Sequence, residues 1–313
     1  MSADLRRRTA AVLCLAALAL TSAACEKSGP APGGGSKPPS QSAASLFDQR
    51  SVTVAVKKGQ PGFNTRSGEE YEYAGFETDL LNSLADTIPF KDYQHDIPSL
   101  QREDILLDEG VDLVIATYTI TDARDEKIDF TAPYLKTYQG VLVRKDESEI
   151  KQLRDLEERR VCSASGSTSD PDSVEGEKAK KSISETLGVG VRPGLRKDYK
   201  TCVKELVKGN FDAVWTDKIV LEGFAHADPY KKDVEVVQDI NVEKRQFYGV
   251  GLREGHGADC RKLNTALKKF LDTRWVTAFQ QHFPELAKGD FEQKYKPSDS
   301  EFADYEAKSC GAK

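Results

Sequence analysis

No apolar stretch of this chain is long enough to cross a bilayer as a helix: the longest, Ala10–Leu20, is short and built of small residues, well below the ~20 that a span needs. Nor is there an excess of positive charge. Forty-five Lys and Arg stand against 51 Asp and Glu, a formal net charge of −6, so nucleic acid is not an expected partner. The four histidines are scattered, and Cys162, Cys202, Cys260 and Cys310 are too far apart for a zinc spacing. No nucleophile elbow is present either. No metal, no cofactor and no catalytic residue is expected.

What is present, 38% hydrophobic and 31% charged residues, is a globular composition with enough length for one large or two ordinary domains. Arg6–Arg8 followed by Ala10–Leu20 has the shape of a secretory signal. It closes on Leu20-Thr-Ser-Ala-Ala-Cys25, which looks like a lipoprotein cleavage box with Ser22 where Leu is usual. Residues 1–24 are therefore expected to be a signal peptide and Cys25 a lipidated first residue; the alternative is a plain secretory signal and an odd thiol. Cleavage would leave 42 basic and 50 acidic side chains, a net charge of −8. Residues 25–45, rich in Gly, Pro, Ser and Ala, form a flexible tether. Beyond Cys25, four cysteines in an oxidising compartment allow three pairings.

The informative stretch is Val111 to Tyr134, VDLVIATYTITDARDEKIDFTAPY. Val111, Leu113, Val114 and Ile115 predict a strand buried on both faces in a parallel sheet. After a polar exit, Thr121 is placed to cap a short helix whose first turn contains Arg124. A cation beside the positive end of a helix is unfavourable unless an anion sits between them. A carboxylate would satisfy both, with Thr119 as a further donor. Pairing of Arg124 with Asp122, Asp125 or Asp129 on a solvated face is the alternative.

ATYTITDARDEKIDFTAPY and, upstream, GFETDLLNSLA resemble the bacterial extracellular solute-binding proteins of family 3, which bind polar amino acids. The resemblance runs from about Ser51 to Leu286. It implies an α/β type II fold of two lobes joined by two hinge-crossing strands: lobe 1 from residues 46–141 and 246–313, lobe 2 from residues 142–245. It also implies that Thr119 and Arg124 hold the α-carboxylate of an amino acid, while the carbonyl of Thr117 accepts from its ammonium. Many relatives have Gly or Ser at the position of Thr117.

SVTVAV, Ser51 to Val56, predicts a strand whose following loop carries Lys57, Lys58 and Gln60 to the ligand-collecting end of an open sheet. Lys57 there is either a ligand contact or a solvated lysine. Phe76, Leu80, Leu81, Leu84 and Ile88 form a helical core stripe. Arg102 either approaches the ligand or pairs with Glu103 or Asp104. In the second lobe, Arg160 to Cys162 predicts a strand that enters SASGSTSD, a turn able to surround an anion. By resemblance the amide of Thr168, with Ser167 beside it, contacts the carboxylate. Gly188 to Val191 reads as a strand, Tyr199 to Lys208 as a helix, and Ala213 to Trp215 as a strand ending at Asp217. Asp217 is the ammonium partner by resemblance, or else a helix N-cap. Tyr138 to Arg144 and Gln246 to Arg253 are the expected crossing strands, with helices over Ala258 to Leu271 and Thr273 to Phe283. Pairing Cys162 with Cys202 and Cys260 with Cys310 keeps each bridge within one lobe. The charged stretch 170–185 receives no role, and the charged, poorly patterned tail 288–313 is expected to be pinned by Cys310.

The resemblance implies a monomeric, non-enzymatic receptor that feeds an amino acid to the permease subunits of an ABC transporter from a lipid anchor outside the membrane. Lys57, Gln60 and Arg102 at the distal end of the ligand favour glutamate, then aspartate or glutamine. The alternatives are an enzyme like cyclohexadienyl dehydratase on the same fold, or a ligand-sensing lipoprotein.

Overall fold

The computed structural model describes residues 44–49, 51–57, 59–67, 72–171 and 190–311. The expected signal peptide, Cys25, Lys58 and most of the stretch 170–185 lie outside the described residues. In chain order the elements that position the site begin with β1 (Val52–Lys57), the ribbon β2 (Thr65–Ser67) and β3 (Glu72–Ala74), α1 (Phe76–Thr87) and β4 (Asp92–Ile97). They continue with α2 (Arg102–Leu107), β5 (Leu113–Ile115), α3 (Asp122–Asp125), β6 (Asp129–Phe130) and the long β7 (Leu135–Arg144). Then follow β8 (Arg160–Ala164), β9 (Arg192–Arg196), α4 (Tyr199–Val207), β10 (Ala213–Asp217), α5 (Lys218–His226) and β11 (Val234–Val236). The chain returns through β12 (Val242–Tyr248) and β13 (Gly251–Leu252) to α6 (Gly257–Thr273), α7 (Trp275–His282), α8 (Phe291–Tyr295) and α9 (Asp299–Glu306).

Two sheets result. The first lobe has the order β4-β1-β5-β13-β6 and the second β11-β7-β10-β8-β9, with β12 paired to β7. β1 runs parallel to both neighbours, which explains its almost unbroken burial. β5 is fully buried as expected, but only one neighbour is parallel; β13 pairs with it antiparallel. Helix α1 buries Phe76, Leu80, Leu81 and Leu84, and the Phe76 ring meets Phe270 and Trp275 edge-on at 5.7 and 5.8 Å, a favoured aromatic geometry.

The crossing strands differ from expectation in detail. β7 is longer at its start, and the return divides into β12, which belongs to the second sheet, and β13, which belongs to the first. Leu135 pairs with Tyr248 and Thr137 with Gln246 at the crossing. The expected strand at Gly188 to Val191 is displaced to Arg192–Arg196; residues 188 and 189 lie outside the described residues. Pro193 disguised it. β9 is the edge of its sheet, where a missing N–H can be tolerated. The disulfides join Cys162 with Cys202 and Cys260 with Cys310, each within one lobe.

Candidate functional site

The carboxyl ends of β1, β5, β8 and β10 point to one cleft, so the chain delivers Lys57, Thr117, the loop 165–169 and Asp217 to the same place. Lys57, Gln60, Arg102 and Arg124 are each no more than 3% exposed. That answers the alternatives for the two outermost of them: Lys57 is not a solvated lysine, and Arg124 is not on a solvated face.

Arg124 sits where the helix start puts it. Thr121 caps α3 with its side chain, and the Arg124 guanidinium donates to the carbonyls of Thr119 (2.9 Å) and of Gly166 (3.2 Å) in the other lobe. Glu103 lies 3.6 Å from its Nε. Arg102 donates to the carbonyls of Ser99 (3.0 Å), Ala116 (3.2 Å) and Thr117 (2.9 Å), and across the cleft to that of Gly166 (2.9 Å). Both guanidinium carbons lie over the buried Tyr118 ring, at 4.6 Å for Arg102 and 5.0 Å for Arg124, a cation–π arrangement. The Lys57 ammonium donates to the Ser99 hydroxyl. Burial first, and then the Arg102 charge, hold it well below the ordinary lysine value.

Thr117 is in the left-handed region at φ 44°, an uncommon place for a β-branched residue. The side chain is also engaged, because Gln60 donates to its Oγ1 at 3.3 Å. Sequence reasoning did not single out the group that holds this peptide. Glu77, buried on α1, accepts from the Thr117 N–H at 2.6 Å and from the Tyr134 hydroxyl at 2.5 Å. Burial pushes its carboxyl up to about 7, despite those two bonds and the nearby Lys57 and Arg102. The signal was present: Glu77 precedes Leu80 and Leu81 by three and four positions, which puts an acid on the buried helix face.

From the second lobe, Asp217 stands at the N-cap position of α5 without making a side-chain cap bond. Its Oδ2 accepts from Tyr248 at 2.5 Å. Burial pushes this carboxyl up to about 6, while the Tyr248 bond and the Arg102, Arg124 and Lys57 charges oppose the rise. Tyr248, on β12, was also missed. Ser167 shares hydroxyl contacts with Ser163 and Ser169 (3.3 and 3.2 Å), and Thr168 Oγ1 accepts from Gln139 at 3.1 Å. The loop's Gly166 amide donates to Asp170 Oδ2 at 2.6 Å.

The lobes touch. A methyl group at Gly166 would stand 2.4 Å from the Leu100 Cα, and one at Gly223 would stand 2.4 Å from the Pro61 carbonyl oxygen. The cleft is therefore closed in this structure, with cations of the first lobe seated on a carbonyl of the second. A cavity of about 550 Å3, lined by Gly59 and Pro61 of the first lobe and by Lys197, Asp198, Lys200 and Thr201 of the second, has none of Gln60, Thr119, Arg124 or Asp217 in its lining.

Two facing lobes carry Arg124 on one and the buried Asp217 on the other, with Arg102 beside Arg124 over the Tyr118 ring. The model of the bacterial extracellular solute-binding proteins, family 3, matches residues 52–286. The chain belongs to this family. Among family relatives, the glutamate-binding protein GluB of Corynebacterium glutamicum is 32% identical over 237 residues, 71% of this chain and 75% of the relative. The ABC transporter glutamine-binding protein GlnH of Bacillus subtilis is 26% identical over 72% of this chain and 78% of its own length. An ancestral arginine-binding protein solved with bound glutamine aligns with a TM-score of 0.65 at 26% identity, covering 75% of this chain and 98% of that one. This solute-binding protein therefore has the two-lobe type II fold, its cleft in the place where the fold collects a ligand.

Proposed function

We propose that this protein is the extracytoplasmic binding component of an amino-acid ABC importer and that its ligand is L-glutamate, with aspartate or glutamine next. One observation supports the ligand choice above the rest: Lys57 and Arg102 are two buried cations on the same lobe, each raising the energy of the other. An anionic ligand side chain between or beside them relieves that repulsion, whereas a basic side chain adds to it. At the other end of the ligand, Arg124 and Thr119 take the α-carboxylate, and Asp217 and the Thr117 carbonyl take the ammonium. The glutamate-binding relative also shares more identity with this chain than the glutamine-binding one.

Since anchoring groups come from both lobes, a ligand favours closure through contacts that neither lobe offers alone. We read the site as a receptor's and not a catalyst's, because its buried acids Glu77, Asp217 and Asp170 are held by Tyr134, by Tyr248 and by the Gly166 amide and none of the residues placed on the ligand is a histidine. Attachment through a lipid on Cys25 would hold the monomeric receptor beside the permease subunits. A Cys25→Ser chain should leave the membrane fraction, and its retention there would sink the anchor.

A thermal-melting screen of the mature protein against the twenty amino acids tests the assignment. A ligand at 100 times its Kd should add about 2.7 kcal/mol of stability. No shift with any of them would overturn the receptor reading.

A further inference from the structure

The segment after residue 286, where the family match ends, is folded onto the hinge. Phe291 and Tyr295 of α8 stack on Phe279 at 5.4 and 5.1 Å. Ser298 and Glu301 form a capping box at the start of α9. That helix buries Phe302 and sets Tyr305 4.8 Å from the Phe247 ring of β12. The end is then fastened to the first lobe by the Cys260–Cys310 disulfide and by Asn264, which donates to Ser309 Oγ at 2.9 Å.

Glu301 divides its carboxylate between the two crossing strands. Oε2 accepts from the Lys136 ammonium of β7 at 2.7 Å, and Oε1 accepts from Arg245 of β12 at 2.7 Å. Arg245 turns its Nε to the Tyr138 hydroxyl of β7 at 2.6 Å. Lys136 is only 4% exposed, and a buried ammonium is costly without a carboxylate beside it. Burial alone would raise the Glu301 carboxyl, but the Lys136 and Ser298 bonds outweigh it and hold the group below the ordinary glutamate value. The main-chain ladder is irregular here, with a register shift between Val242 and Gln246. Pairing is regular from Leu135–Tyr248 through Lys136–Phe247 to Thr137–Gln246 and is broken from Arg245 onward, so on the Arg245 side main-chain pairing does not by itself fix β12 to β7.

We propose that the C-terminal segment is a strap across the hinge and that Glu301 is a positioning residue: by tying Lys136 of one crossing strand to Arg245 of the other, it holds the closed bend and slows ligand release. This rests on the reading that the lobes close on a ligand. The family match ends at residue 286, before the strap begins.

The test uses the mature protein with Glu301→Gln and, separately, Arg245→Gln, an exposed position whose change leaves the fold in place. Dissociation of L-glutamate is followed by stopped flow, and lobe separation in the ligand-free protein by energy transfer between dyes at Tyr93→Cys and Val207→Cys. Glu301→Gln should speed dissociation about tenfold with association unchanged, and should widen the lobe separation. Arg245→Gln should move both in the same direction by less. A lower melting temperature with both readouts unchanged within about twofold would show a merely structural tail and overturn the proposal. If Glu301→Gln fails to fold, Arg245→Gln decides alone. If the wild type does not bind L-glutamate, that result counts against the ligand assignment only, and the ligand-free lobe separation still decides the strap.

Discussion

Tyr248 donates its hydroxyl to Asp217 Oδ2 at 2.5 Å, joining the acid of the second lobe to the end of a crossing strand. The other oxygen, Oδ1, is buried without a hydrogen-bond partner among the described residues. A buried carboxylate oxygen left in that condition is costly, and a ligand ammonium is the group that would satisfy it.

A dependence on pH follows, with opposite signs for the empty and the loaded protein. Asp217 is pushed up to about 6 and Glu77 up to about 7, chiefly by burial, against unfolded values of about 4. Both therefore contribute stability that is present below about pH 4 and lost as pH rises through 6 to 7. Ligand binding needs Asp217 ionised. Affinity for L-glutamate should be full above about pH 7 and fall toward tenfold per unit below pH 6. Calorimetry at pH 6 in buffers of different ionisation enthalpy should record proton release, and Asp217→Asn should abolish it. Affinity independent of pH between 5 and 7 would remove Asp217 from the ammonium site.

Arg124→Ala removes the guanidinium from the Thr119 and Gly166 carbonyls and from a bound carboxylate. Affinity for L-glutamate should fall by more than about a hundredfold, with the far-ultraviolet circular dichroism unchanged. Affinity retained within about threefold by calorimetry would place the carboxylate elsewhere.

Gly223 is where closure has least room. An alanine there would set its methyl 2.4 Å from the Pro61 carbonyl oxygen, and backbone cannot move aside as a flexible side chain does. Gly223→Ala should weaken L-glutamate binding by about tenfold or more, widen the ligand-bound protein in small-angle scattering, and leave the ligand-free melting temperature near that of the wild type. An unchanged affinity would mean that the closed contact between Gly223 and Pro61 is not needed for binding.

The sequence carried the first lobe well because its signals are local: the β-branched run of β1, the apolar stripe of α1 and the Thr121 cap each depend on neighbouring residues. It carried β9 badly, since Pro193 hides an edge strand whose partner lies about thirty residues upstream. Arg102 illustrates the limit for the site. Glu103 and Asp104 beside it suggested a salt bridge, yet burial turns the side chain to four main-chain carbonyls, one of them in the other lobe. Carbonyl acceptors leave no trace in residue identity. Glu77, Tyr134 and Tyr248 were legible only as members of apolar stretches, because their polar ends matter only after the lobes assemble. Thr117 at φ 44° shows the same limit for backbone strain.

The central claim is tested most directly by calorimetric titration of the ligand-stripped wild type and of Lys57→Met with L-glutamate, L-glutamine and L-arginine at pH 7.5. The account predicts that the wild type binds glutamate most tightly and arginine most weakly. In Lys57→Met, which loses the buried ammonium at the distal end, the gap between glutamate and glutamine should narrow by about tenfold. Arginine binding more tightly than glutamate to the wild type, or an unchanged gap in Lys57→Met, would contradict it.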